Sequence, residues 1–210
     1  MTQLLFFIQV FVISFSGAMQ PGPVTATAIV LGSRSRYAGL ALALGHVLVE
    51  FPLMILIMLG MGIIFKSPLV QIIIGLAGGT ILIIMAIQMA GNLRNQETPE
   101  PKGLSKKPIR AGAVLSIANP YFLLWWSTIG LALATGAREF GIWAFAIFAL
   151  VHWLTDCLWL YALSWASFKG TKLFSQKVQR IILGICSAAL LAFGVIFIYN
   201  SFYGLIRFLR

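Results

Sequence analysis

Two histidine–acid pairs are the residues of this chain whose type and spacing could carry chemistry. His46 is followed four residues later by Glu50, and His152 is followed four residues later by Asp156. Residues four apart share one face of a helix, so each histidine can approach its acid. Such a pair suits a site that exchanges protons, because histidine changes its charge near neutral pH. The structural alternative is that each pair neutralises itself and holds two helices together.

Glu50 and Asp156 also stand out because of their surroundings. The 210-residue chain has five acidic residues, and these two lie well inside long apolar segments. An ionised carboxylate at the centre of a bilayer costs about 2.5–3.5 kcal/mol on insertion scales. We therefore expect both acids to be protonated, paired or facing water, and we interpret them as functional residues.

Proline interrupts two of the apolar segments, at Pro21-Gly22-Pro23 and at Asn119-Pro120. Proline removes an amide donor, so an unbroken helix is unfavourable at both places. In a membrane, broken backbone is tolerated only against protein or a wet cavity, and a restarting helix offers amide groups to an anion. A simple kink is the alternative. The residues predicted to bind a substrate at the breaks are Gln20, Pro21, Gly22, Pro23, Thr25, Asn119 and Pro120.

The composition identifies the elements that must position these residues. The chain is 60% hydrophobic and 10% charged, and its mean hydropathy is +0.96, which excludes a soluble enzyme or a nucleic-acid-binding protein. A membrane-spanning helix needs about 20 apolar residues. We predict an all-α, multi-pass membrane protein with six transmembrane helices, at 4–31, 38–65, 69–90, 111–135, 140–168 and 181–203.

The distribution of basic residues predicts the orientation. The connectors after the first, third and fifth helices hold 11 of the 15 basic residues, and the opposite side holds four: Lys66, Arg138, Arg207 and Arg210. By the positive-inside bias, both termini are expected outside the cytoplasm, and 92–110 forms a cytoplasmic connector. We expect the inner (plasma) membrane as the location. We also expect the first helix to be retained, since no basic residue precedes it as in a signal peptide.

The unusual features recur in the same order in residues 1–91 and 111–210. Each half has a proline-broken first helix, a histidine–acid pair in its second helix, and small residues four apart in its third, Gly75/Gly79 and Gly184/Ala188. Because three helices per half is an odd number, the second copy would be inverted in the bilayer. We predict a single transmembrane domain of two inverted three-helix repeats, an architecture of many secondary transporters.

Two further groups of residues have simpler interpretations. The small residues four apart are packing positions, which could join a homodimer or pack the two halves of one chain. The aromatic side chains Tyr121, Phe122, Trp125 and Trp126 are expected to pack or to lie in an interfacial belt rather than to surround a ligand.

The sequence resembles the LysE/RhtB family of small amino-acid exporters, within the LysE superfamily. The resemblance rests on Pro21-Gly22-Pro23, Gly32 through Gly39-Leu40, Gly45 with an acid nearby, Ala118-Asn119-Pro120 and Asp156. It extends over nearly the whole chain. It implies export of amino acids or related metabolites, driven by the membrane potential or the proton gradient, through a broken-helix site. This chain departs from the family pattern in having Tyr121 where lysine is common, and Glu50 paired with a histidine where aspartate is usual.

Two hypotheses follow. The leading one is a proton-coupled exporter of amino acids or related small zwitterionic metabolites, which works by alternating access at a midplane site. The substrate carboxylate would meet the helix breaks, its ammonium would meet Glu50 or Asp156, and the histidines would assist proton exchange. The alternative is a divalent-metal exporter that uses His46, Glu50, His152 and Asp156 as ligands.

We do not expect an enzyme. The sequence contains neither His-Glu-x-x-His nor Gly-x-Ser-x-Gly. No cofactor is expected, and the basic residues fall between apolar segments rather than forming a nucleic-acid-binding surface.

Overall fold

The computed structural model describes residues 2–61, 64, 67–94, 107–117, 119–170 and 176–209. Every regular element within these residues is a helix. Residues 95–106 of the predicted connector lie outside the described residues, as do Lys66, Lys172 and Arg210, which entered the prediction of orientation.

The first apolar segment is broken where the prolines predict it. Helix α1 spans Gln3–Ala18, α2 spans Pro23–Gly32, and their axes differ by 74°. Pro23 occupies the first position of α2, where its missing amide hydrogen costs nothing. The first bond of the new helix runs from the Ala26 N–H to the Gly22 carbonyl oxygen, at 2.9 Å. The predicted break in this helix is therefore confirmed.

The fourth segment is also broken. Helix α5 spans Pro108–Ile117, and α6 spans Pro120–Trp125 and continues through a π-helical turn at Trp126–Gly130 into α7, Leu131–Glu139. The axis bends by 60° between Pro108–Ile117 and Tyr121–Glu139. Asn119 caps the new helix, because its side-chain oxygen accepts a hydrogen bond from the Tyr121 N–H at 3.1 Å.

The other four segments are long helices. Helix α3 spans Ala38–Leu56 and ends in a π-helical turn at Ile57–Met61; α4 spans Pro68–Arg94, α8 spans Ile142–Gly170 and α9 spans Gln176–Phe208. Gly60 has a φ of 92°, which suits glycine. Among the described residues, four helices are long and apolar enough to cross a membrane, and up to six segments are when each bent pair counts as one. The predicted all-α, multi-pass architecture is confirmed.

The first helix of each half of the chain packs against a helix of the other half. Helices α1 and α2 of the first half pack against α8 of the second, while α5 of the second half packs against α3 of the first. The contact between α3 and α5 is made backbone to backbone, because a Cβ atom at Gly45 would overlap the Ile109 carbonyl oxygen and one at Gly112 would overlap that of Leu42. This exchange is what two inverted repeats would produce, and the repeat itself stays a prediction.

The small residues of the third and sixth segments have different surroundings. On α4, Gly75 faces Ser201 and Gly79 faces Gly194, so this pair packs α4 against α9 within one chain. A Cβ atom at Gly184 would meet nothing within 4 Å, and Ala188 is exposed. A homodimer therefore stays a prediction that rests on the second pair alone.

Candidate functional site

The side chains of both predicted pairs meet where α3 crosses α8. Oε1 of Glu50 lies 3.2 Å from Nε2 of His46 and 3.1 Å from Nε2 of His152. It also accepts a hydrogen bond from the indole N–H of Trp126, at 3.3 Å. Glu50 is 1% exposed. One buried carboxylate oxygen is thus shared by three nitrogen atoms from three different segments.

Asp156 lies beside this cluster. Its Oδ2 is 3.6 Å from Nε2 of His46 and 3.8 Å from Nε2 of His152, which are ion-pair distances rather than hydrogen bonds. Among the described residues, neither Oδ2 of Asp156 nor Oε2 of Glu50 has a hydrogen-bond partner. Both histidines thus approach the acid four residues later, as expected, and His152 in addition bonds Glu50 on α3, which is closer to it than Asp156. Two buried acceptor oxygens without a hydrogen bond can accept one from a cation, a protonated group or a water molecule.

Two serines that the sequence analysis missed hold the histidine rings. Nδ1 of His46 lies 2.6 Å from Oγ of Ser116 on α5, and Nδ1 of His152 lies 2.7 Å from Oγ of Ser14 on α1. Both serines are fully buried. Each histidine is therefore oriented by the first helix of the opposite half. The signal in the sequence is a serine near the end of the helix before each break, although α1 also contains Ser16.

The bonds of Ser116 fix where one proton lies. Its hydroxyl donates to the Gly112 carbonyl oxygen at 2.6 Å, so towards His46 it acts as an acceptor and Nδ1 of His46 carries a hydrogen. The other ring nitrogen faces Oε1 of Glu50 at 3.2 Å. A hydrogen bond between these two atoms needs a hydrogen on either Nε2 or the carboxyl oxygen. The His46–Glu50 pair therefore carries one proton more than a neutral imidazole and an ionised carboxylate together.

The cluster opens into a cavity of about 90 Å³ that both helix breaks also line, here called the central cavity. A water molecule needs at least roughly 10–15 Å³ of such volume, so several fit. The predicted site residues that line it are Gln20, Pro21, Gly22, Thr25, Asn119, His46, Glu50, His152 and Asp156. Pro23 is buried outside this lining, and Pro120 begins α6.

The aromatic residues after the second break pack in the core, as expected, and they also line the central cavity. Trp126 is fully buried and bonds Glu50. The ring of Trp125 stacks on His152 with centroids 4.9 Å apart, and Phe122 meets His46 edge-on at 5.1 Å. Tyr121 completes this wall.

The family model for LysE type translocators matches residues 15–201, a range that contains both breaks and all four residues of the histidine–acid cluster. The chain belongs to the LysE type translocator family. No curated protein and no solved structure matches it.

Membership confirms the family resemblance drawn from the helix breaks and the acids. This LysE type translocator is a multi-pass membrane transporter, and its partners are a small-molecule substrate and the lipid bilayer.

Proposed function

We propose that this LysE type translocator exports amino acids or related small zwitterionic metabolites across the inner membrane, in exchange for protons. The observation that carries the proposal is that two helix breaks, two acids and two histidines line one cavity. Broken backbone and ionisable residues at membrane depth are costly, so their meeting at one hydrated place favours a transport site.

The two ends of a zwitterion match different walls of the central cavity. Its carboxylate would bind at the start of α2, where the first amide N–H groups precede the first helical bond, donated by Ala26. Its ammonium would bind the unpartnered oxygens of Asp156 and Glu50. Among the described lining residues there is no lysine or arginine, so the backbone is the natural partner of the substrate carboxylate.

Proton exchange follows from the proton that the His46–Glu50 pair holds. A substrate ammonium arriving at Glu50 brings a second positive charge within a few ångströms, and in a low-dielectric site the two charges repel. Loss of the proton as substrate binds, and its return as substrate leaves, would couple the two movements. Alternating access would come from tilting at the two breaks, with both termini outside the cytoplasm and the two inverted three-helix halves moving against each other.

The test is amino-acid efflux from proteoliposomes, with and without a pH gradient. We expect the gradient to drive efflux of one or more amino acids by the wild-type protein, and Glu50→Gln to abolish it. Glu139→Gln is the matched control, since Glu139 is an exposed acid at the end of α7 and should not matter. Gradient-driven efflux by Glu50→Gln at the wild-type rate would remove Glu50 from the mechanism.

A divalent-metal exporter is the second candidate, because one ligand atom from each of His46, Glu50 and Asp156 lies within 4.8 Å of the others. Ligands around a tetrahedral ion at about 2.1 Å are roughly 3.4 Å apart. The separations of 3.2 Å and 3.6 Å from His46 to the two acids are close to that value. Thermal stabilisation by Mn²⁺ or Zn²⁺ that His46→Ala abolishes would favour this candidate, and no stabilisation by either ion would reject it.

A further inference from the structure

A second and larger cavity lies between α4, α9 and the segment that runs from α6 into α7. Its volume is about 440 Å³. Its lining includes four neutral polar side chains, those of Gln71, Thr128, Asn200 and Ser201. The Thr128 hydroxyl donates to the Leu124 carbonyl oxygen at 2.8 Å. Amide side chains such as those of Gln71 and Asn200 are costly against lipid, so their presence in this lining favours a hydrated space.

This second cavity lies towards one side of the membrane. On α4 it is lined by Pro68 and Gln71, at the start of the helix, and on α9 by residues up to Gly204, near its end. The start of α4 and the C-terminal end of α9 lie on this side. The distribution of basic residues predicts that it is the non-cytoplasmic side.

The two cavities share a wall made of two aromatic side chains. Tyr121 and Trp125 are the described residues that line both cavities. The Tyr121 ring contacts Phe193, which lines the central cavity, with centroids 5.9 Å apart. It also stacks on Phe197, which lines the second cavity, with centroids 6.5 Å apart and an angle of 11°. The Tyr121 ring therefore lies between residues that line the two cavities.

The shared wall also touches the histidine–acid cluster. Trp125 stacks on the ring of His152, which bonds Glu50. On its other side, a Cβ atom at Gly17 of α1 would approach the indole nitrogen of Trp125 to 3.0 Å. The indole is thus held between the first break and the cluster. Movement of either one displaces it.

We propose that the second cavity is the outer chamber of the transport path, and that Tyr121 and Trp125 form the gate between it and the central cavity. The chamber takes a small polar solute through amide and hydroxyl groups, after the solute has left the acids. The role as an exit rests on the proposed function. The existence of a hydrated chamber closed by this gate does not.

The test is the reactivity of single cysteines with a permanently charged methanethiosulfonate reagent, in sealed membrane vesicles of a Cys157→Ala/Cys186→Ala background. Asn200→Cys reports on the second cavity. Ile196→Cys, on the same helix and 49% exposed towards lipid, is the matched control, and Glu139→Cys reports which side the reagent reaches. We expect Asn200→Cys to react from the same side as Glu139→Cys, and Ile196→Cys to stay unreacted.

The gate is tested with Ala18→Cys, which lies in the lining of the central cavity. From the Glu139 side it should react slowly in the background protein and an order of magnitude faster when Tyr121→Ala is added, while Tyr121→Phe leaves it slow. An unreactive Asn200→Cys, as a lipid-filled groove would give, overturns the chamber. Reaction of Ala18→Cys at one rate with and without Tyr121 overturns the gate. None of these measurements requires export, so their results are independent of the transport assay.

Discussion

Replacing Glu50 tests whether the cluster is held together by one carboxylate oxygen. Glu50→Ala leaves the ring nitrogens of His46 and His152 and the indole N–H of Trp126 without their hydrogen-bond partner. An orphaned buried donor costs about 1–3 kcal/mol, and removing one partner of a buried ion pair costs about 3–5 kcal/mol. We expect Glu50→Ala to lower the free energy of unfolding by about 3–5 kcal/mol.

Glu50→Gln separates this structural effect from the charge. Glutamine keeps an oxygen acceptor at the same chain length, so we expect a loss of about 1–2 kcal/mol, although export is abolished. The measurement is thermal unfolding of the detergent-solubilised protein, followed by the loss of monodisperse protein on size-exclusion chromatography. Glu139→Ala is the control for removing an exposed acid. If Glu50→Ala unfolds at the same temperature as Glu50→Gln, the three bonds to Oε1 contribute nothing and the reasoning is refuted.

Three other substitutions have expected outcomes in the same assays. Gly45→Ala forces apart the backbones of α3 and α5 and should cost about 1–3 kcal/mol of stability, whereas Gly91→Ala, with nothing within 4 Å of its added Cβ, should cost nothing measurable. Gly22→Ala should fold normally, because the backbone there is extended, with a φ of −158°, and the nearest atom to an added Cβ is 4.0 Å away. Ser116→Ala removes the acceptor of the His46 Nδ1–H and should change the pH profile of export, with a loss of about 1 kcal/mol in stability; an unchanged profile would contradict the proton assignment.

The helix breaks were predictable because much of their cause is local, although proline alone does not decide it, since Pro52 lies inside the continuous helix α3. Proline lacks an amide hydrogen wherever it lies, so Pro21, Pro23 and Pro120 act through their own positions in the sequence. The same holds for the His46–Glu50 contact, which needs only the repeat of one helix. The long apolar segments likewise fix the all-α class through length and composition alone.

The partners of His152 could not be predicted, because they depend on how one helix is rotated against another. A spacing of four residues places His152 beside Asp156, yet the crossing of α3 and α8 brings Glu50 closer. The roles of Ser14 and Ser116 could not be predicted for the same reason. They depend on the packing of each first helix against the other half of the chain. The contact between Trp126 and Glu50 also depends on tertiary packing. Helical periodicity does not show whether a buried aromatic side chain contacts an acid or only apolar residues.

The exchange of first helices has a consequence for how the protein is made. When the first three segments have entered the bilayer, the surface of α3 that α5 later covers is still exposed. Helix α1 also cannot yet pack against α8. The histidine and the acid of the first half therefore stay exposed in the membrane until the ribosome has synthesised the second half. Expressed as two separate polypeptides, neither half should accumulate without the other, and each should rescue its partner from degradation.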